Sequence, residues 1–225
     1  MALATYSNIQ TALAQALRRP GDSTIASLAP DMIRLAETGI IYGIEPNDLS
    51  PFRAPPVRMR FMITRNPSFS VTSEYTELPS GFLEFRKAPI VATDPVTRIK
   101  MVSPDHMNDI EAGSDTYASG DVLFGCIEGT QLRLRPAPSS LTLDISHYTL
   151  SVLSDSNTTN TLLTNAPNVY LYGTARECAE HLGDFEAAKW WHGKYLGIVI
   201  AVQKADERGV QSLGVPEMRV LGRVY

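Results

Sequence analysis

Carboxylates and imidazoles at short spacing are the residues of this chain that could do chemistry, and two groups stand out. Glu177 and Glu180 lie three apart with His181 beside them, a spacing that can aim a carboxylate and an imidazole at one ion from a helix. A dinuclear centre of that kind needs the motif again on a facing helix. No second copy exists, so the group reads as a solvated helix face. Asp105, His106 and Asp109 imitate a general acid and base. Ser103-Pro104-Asp105 is also a helix start, in which serine caps, proline takes the first position and the acid meets the positive end of the dipole. The four histidines, His106, His147, His181 and His192, are scattered, and no Cys-x-x-Cys or His-Glu-x-x-His occurs. Nucleophile elbows, glycine-rich phosphate loops, dinucleotide fingerprints and kinase motifs are missing too. The sequence predicts no catalytic residue, no cofactor and no metal ligand, with a small hydrolase as the alternative from another class.

Residues that could hold a partner are more evident. Arg53, Arg58, Arg60 and Arg65 form the only basic run, with no acid until Glu74 past the last arginine. Alternating arginines on strands face solvent or meet acids of a neighbouring subunit; contact with phosphates is the alternative. The net charge of −4 argues against a protein that grips nucleic acid, which needs many Lys and Arg contacts. Of Trp190 and Trp191 only one can point fully inward on a helix, which leaves Trp190 for an interface. These five residues are the candidates for a subunit interface. Cys126 and Cys178 lie far apart and read as two buried thiols, a disulfide being the alternative.

The elements that position these residues divide the chain into parts. Thr5 to Arg19 carries Ile9, Leu13 and Leu17 four apart and ends at Pro20-Gly21, so it is a helix. A second helix is expected from Pro30 to Ile41, with Ile33, Ala36, Glu37 and Ile40 in adjacent rows and Gly43 as its stop. Residues 1–46 thus form a helical hairpin. Asn47 to Pro56 has the prolines of a linker, and residues 47–150 then read as a β-rich insertion. Its strands are expected at Val57–Ile63, Ser68–Thr76, Phe82–Phe85, Ile90–Ala92, Arg98–Val102, Val122–Ile127, Gln131–Leu134 and Leu141–Leu150. A hairpin turns at Glu128-Gly129 with Leu132 and Leu134 inward and Arg133 and Arg135 outward. A helical turn at Ser103 and a polar loop over Glu111–Gly120 interrupt the series.

Residues 151–209 read as a polar turn followed by two helices. The first runs from Pro167 to Leu182, with Leu171, Ala175, Cys178, Ala179 and Leu182 on one face and Gly183 as its stop. Asp184 caps the second, which places Ala188, Trp191, Tyr195, Ile198, Val199 and Val202 on a stripe and ends near Gly209. So short a connection makes the two antiparallel, and they are expected to pack on residues 1–46. Residues 210–225 are too apolar for a solvated tail and too broken for a helix. They read as an extended arm that presents Val210, Leu213, Val215, Met218, Val220, Leu221, Val224 and Tyr225 to a partner surface. The fold class is α+β, a bundle of N- and C-terminal helices with a β-rich insertion in the middle. No apolar run approaches the roughly 20 residues that cross a bilayer, and Met1–Arg19 lacks the pattern of a signal peptide, so no membrane contact is expected.

The run from Leu153 to Tyr195 carries a resemblance. Leu153, Ser154, Asp155, Asn157, Asn160, Leu162 and Leu163, then Pro167, Tyr170, Leu171, Tyr172, Gly173, Trp191 and Tyr195, resemble the C-terminal half of the head-to-tail adaptor, or connector, proteins of tailed double-stranded DNA bacteriophages. PDMIRLAETGI at Pro30, YTELPSGFLEFRKAPI at Tyr75, KMVSPDHMNDI at Lys100 and GTQLRLRPAP at Gly129 follow in that family's order. The resemblance implies a structural protein of the virion neck, assembled in the host cytoplasm. In that family commonly twelve copies form a ring beneath the portal, continue the DNA channel and dock the next tail component, a nozzle or tail tube. The bundle would make the ring body, the β part would face the tail, and the arm would reach the portal. An acidic balance suits a channel through which double-stranded DNA passes without tight binding. A tail completion or nozzle-side protein is the structural alternative.

Overall fold

The computed structural model describes residues 3–46, 50–91, 97–112 and 123–211. In chain order its helices are α1 (Tyr6–Ala16), α2 (Ser23–Tyr42), α3 (Pro104–Ala112), α4 (Thr161–Asn165), α5 (Pro167–His181) and α6 (Phe185–Gln211). The strands between α2 and α3 are β1 (Ile63–Val71), β2 (Tyr75–Glu77), β3 (Phe82–Phe85), β4 (Ile90–Val91), β5 (Thr97–Arg98) and β6 (Lys100–Met101). After α3 come β7 (Phe124–Glu128), β8 (Gln131–Arg135) and β9 (Leu141–Thr149). The class is α+β, with helices at both ends and strands between them. The chain forms two compact units, one of residues 1–60 and 153–225, the other of residues 61–152.

The helical unit is built around α5, which is buried on nearly every side and packs against α1, α2, α4 and α6. Each helix start has its local cause. Thr5 accepts from the Asn8 N–H, Asp22 from Thr24 at 2.8 Å, Asn160 from Leu163 at 2.8 Å and Asp184 from Ala187 at 3.0 Å. Pro167 has no N–H to leave unpaired at the first position of α5. Leu13, Ile25, Ala29, Met32, Cys178 and Trp191 are among the residues that fill the core. Three helices meet at Gly173, where a Cβ would be in ordinary contact with Ala36 at 3.4 Å and with the Tyr195 ring at 3.5 Å.

The β unit holds two sheets. In the first, β9 lies between β1 on one edge and β3 and β4 in succession on the other, with β5 outside β4. The second runs β2-β8-β7-β6, and its β6–β7 pair is parallel. Phe69, Val71, Leu143 and Ile145 of the first sheet and Leu132 and Leu134 of the second share one core. Alternation in β8 and β9 sends these residues to a common face. Amphipathic α3 covers the far face of the second sheet through Met107 and Ile110 against Phe124 and Cys126.

The structure corrects several expected boundaries. The second helix begins at Ser23, seven residues before Pro30, which lies inside it. Asp22 caps the helix, and burial of Ile25 and Ala29 holds the turns that precede the proline. Val57–Ile63 is not a strand. Val57 bonds the Ile40 carbonyl at 2.9 Å, Arg60–Met62 is a 3-10 turn, and β1 starts at Ile63. Val57 and Met59 alternate as in a strand because an extended segment alternates with or without a ladder partner. Ser68–Thr76 is divided between β1 and β2, each in a different sheet. The hairpin turns at Gly129-Thr130, since Glu128 pairs with Gln131. Glu111 belongs to α3 instead of a loop. Residues 161–165, read as part of a turn, form α4. Arg133 points away from the Leu132 and Leu134 face as expected, yet it is buried beneath α3.

Candidate interaction surfaces

The residues with chemical potential are not brought together. His106, Asp105 and Asp109 are exposed on α3, where Ser103 caps the His106 N–H at 3.3 Å. Glu177 pairs with its neighbour Arg176. His147 is buried in the β unit, and burial lowers its pKa. His192 stacks on Phe52 in the helical unit, with ring centroids 4.6 Å apart. Among the described residues no three His, Cys, Asp or Glu side chains converge on a point that could hold a metal. Cys126 and Cys178 are free, buried and in different units. Burial pushes the Cys126 thiol up to about 11, away from the nucleophilic range.

The basic run does not act as a block of free charge. Arg65 grips Asp144 through two hydrogen bonds, 3.0 Å from Nε and 2.8 Å from Nη2, and this fork holds the Asp144 carboxyl below the usual range. Arg60 meets Asp206 at 3.2 Å and Arg53 meets Glu45 at 3.5 Å. Arg58 donates to the Ile41 carbonyl at 3.0 Å, near the open end of α2. Arg53, Arg58 and Arg60 belong to the helical unit and Arg65 to the β unit.

Trp190 is different. Its side chain is 55% exposed while Trp191 is 9% exposed and buried in the helical core, as the spacing on one helix requires. The two rings meet edge to face with centroids 4.4 Å apart, and Lys194 Nζ lies 4.7 Å from the Trp190 centroid. Exposed Leu182 and Phe185 stand at the same end of α6. An open groove of about 560 Å³ passes beneath, lined by Leu17, Ala179, Leu182, Ala187 and both tryptophans, with Arg18, Arg19 and Asp184 at its polar edge. It exists because two chain reversals meet there: Arg18 takes φ 57 after α1, and Gly183 takes φ 77 between α5 and α6. Of the arm, Val210 lies in α6, which extends two residues past the expected end at Gly209. Leu213, Val215, Met218, Val220, Leu221, Val224 and Tyr225 lie outside the described residues.

The residues that carry the resemblance are those that close the helical unit. Glu37 of α2, only 2% exposed, accepts from the Leu153 N–H at 2.8 Å and from the Tyr170 hydroxyl at 3.1 Å. Asn160 donates to that hydroxyl at 2.6 Å while capping α4. Burial raises the Glu37 pKa. Ser154 Oγ accepts from the Asn157 N–H at 3.0 Å and fixes the turn. Sequence reasoning placed Glu37 among apolar rows without assigning it a partner. A carboxylate flanked by Ile33, Ala36 and Ile40 was the available signal. A family model described as SU10 adaptor protein matches residues 4–215.

The chain belongs to the SU10 adaptor protein family. Its members are phage head-tail adaptors, so this SU10 adaptor protein is a structural component of a phage particle, and its partners are other head and tail proteins. No curated protein matches the chain. Among the described residues no helix is long and apolar enough to cross a membrane.

Proposed function

We propose that this adaptor forms a ring of about twelve copies beneath the portal, joined head to tail by heterologous contacts that close around an axis. The ring continues the DNA channel and gives the next tail component, a nozzle or tail tube, its docking platform. The observation that carries this reading is the family match across residues 4–215, which makes the chain an adaptor between head and tail. The net charge of −4 supports a channel that lets double-stranded DNA pass without holding it. Val210 to Tyr225 is the arm that reaches the portal, and the helical unit forms the ring body. Trp190 serves the contact between copies, where an exposed aromatic is buried to best effect. Arg53, Arg58 and Arg60 of the helical unit and Arg65 of the β unit make secondary contacts, since each already has an acceptor in its own subunit.

Binding to isolated portal protein tests the proposal. Retention on portal, lost when residues 212–225 are deleted, is expected. Binding to a tail-side protein with none to portal would reverse the polarity and favour a tail completion role.

A further inference from the structure

Leu182, Phe185 and Trp190 leave three large apolar side chains exposed around one end of α6, above the open groove of about 560 Å³. A cavity of that volume takes a small ligand or a few side chains. Its polar edge offers a ligand little to hold. The charged residues of the lining are Arg18, Arg19 and Asp184; Arg19 meets Asp22 at 3.8 Å, and Asp184 caps α6 through the Ala187 N–H at 3.0 Å. An apolar stretch of chain suits such walls better than a polar molecule does.

Such a stretch follows the other end of the same helix. Half of residues 212–225 are Leu, Val, Met or Tyr, against three charges, Glu217, Arg219 and Arg223. Its length decides which part could return to the groove. Gln211, the last residue of α6, lies about 32 Å from Trp190 along the helix axis. An extended chain covers at most about 3.3–3.6 Å per residue, so about ten residues are needed to come back to Trp190. Leu213 and Val215 fall short. Leu221 is the first apolar residue that reaches, and residues 222–225 continue into the groove beyond it. The way is open, because nothing lies within 4 Å of where a Cβ would stand on Gly193 or Gly197, which are exposed on α6 between Ile200 and Trp190.

We infer that, in the unassembled subunit, residues 221–225 lie in the subunit's own groove, with Leu221 against Trp190 and Tyr225 inside. Leu221 and Tyr225 project to the same side of an extended chain, so they enter together. The tether selects the same subunit over a second copy, because the arm is present at its own groove at any dilution. This contact rests on the reading of the arm as the portal contact and of Trp190 as the contact between copies. It sets the two in competition: the groove and the portal hold the same residues, and an arm taken up by the portal bares Trp190 for the neighbouring copy.

Intrinsic fluorescence of the purified chain tests the contact. Trp190 and Trp191 are its two tryptophans, and Trp191 is buried, so quenching by acrylamide reports on Trp190. A chain with Leu221→Ser and Tyr225→Ser should be quenched severalfold more strongly than the parent and emit at longer wavelength. Leu213→Ser with Val215→Ser should match the parent. Both pairs lie past the end of α6. Equal quenching of the parent and the first variant would overturn the inference, as would equal gains from both pairs. Shielding of Trp190 that fades on dilution would overturn it in favour of an arm from a second copy. Sedimentation accompanies each measurement, and self-association of the first variant that Trp190→Ala abolishes supports the inference, because it shows the same face bared. Retention of the parent on portal separates the two levels: retention without shielding refutes this contact alone, and shielding without retention refutes the portal reading while the arm remains in its groove.

Discussion

Replacing Glu37 is the sharpest probe of how the two ends of this chain hold each other. Its carboxylate is 2% exposed and receives two donors, the Leu153 N–H at 2.8 Å and the Tyr170 hydroxyl at 3.1 Å. Hydrogen bonds to a charged acceptor contribute about 1.5–3 kcal/mol each, so Glu37→Ala forfeits roughly 3–6 kcal/mol of attraction. Part of that is returned because a buried carboxylate no longer has to be desolvated, and we expect a net loss of about 3 kcal/mol. Glu37→Gln keeps one oxygen to accept from both donors and removes the charge, so its stability should stay within about 1 kcal/mol of the parent. Burial raises the Glu37 pKa above its ordinary 4.5, so the folded state holds the proton more tightly than the unfolded chain does. The stability from this group is therefore complete below the unfolded value and is lost as pH rises through the folded one. Glu37→Gln should flatten the stability profile just above pH 4.5. Urea unfolding followed by circular dichroism across that window is the assay. A Glu37→Ala protein within about 0.5 kcal/mol of the parent, or a glutamine variant as unstable as the alanine one, would refute the reasoning.

Three further outcomes follow from the geometry. Trp191→Ala should cost about 3–5 kcal/mol in thermal or urea unfolding, whereas Trp190→Ala should change the isolated subunit by less than about 0.5 kcal/mol. Arg133, 5% exposed, holds Glu74 at 2.8 Å, Asn108 and Glu128 at 3.0 Å, and Glu111, with its guanidinium 5.3 Å from the Tyr75 ring centroid. Arg133→Met leaves Glu128 without its partner and Glu74 and Glu111 with Arg135 alone, and should cost about 1–3 kcal/mol, and Arg133→Lys should recover less than half of it in the same unfolding assay. A Cβ on Gly125 would stand 2.9 Å from Ile99 Cγ2 and 3.2 Å from Leu134, so Gly125→Ala should destabilise the β unit by about 1–3 kcal/mol, read as faster amide exchange in β7 and β8.

What the sequence made legible is local. Apolar spacing located α1, α5 and α6, and Gly183 with Asp184 marked the turn between the last two, because caps and periodicity depend on residues a few positions apart. Trp190 and Trp191 could be told apart for the same reason: adjacent helical residues point about 100° from each other. Features that depend on distant partners were not legible. Pro30 inside α2 is tolerated because tertiary burial of Ile25 and Ala29 outweighs a local signal. Arg133 alternates with leucines like any strand arginine, and only α3, folding over it with Glu111 and Asn108, makes it internal. Glu37 and Tyr170 are 133 residues apart, and nothing in either neighbourhood names the other. The arginine run looked like one surface since its members are close in sequence, yet their acceptors Glu45, Ile41, Asp206 and Asp144 come from separate elements.

Reconstruction of the neck of intact phage particles tests the central claim most directly. The account predicts a closed ring of this chain between portal and tail, about twelve subunits around the DNA channel, with heterologous contacts between neighbours. Particles whose neck contains no such ring, or in which the chain sits as single copies elsewhere on the virion, would contradict it.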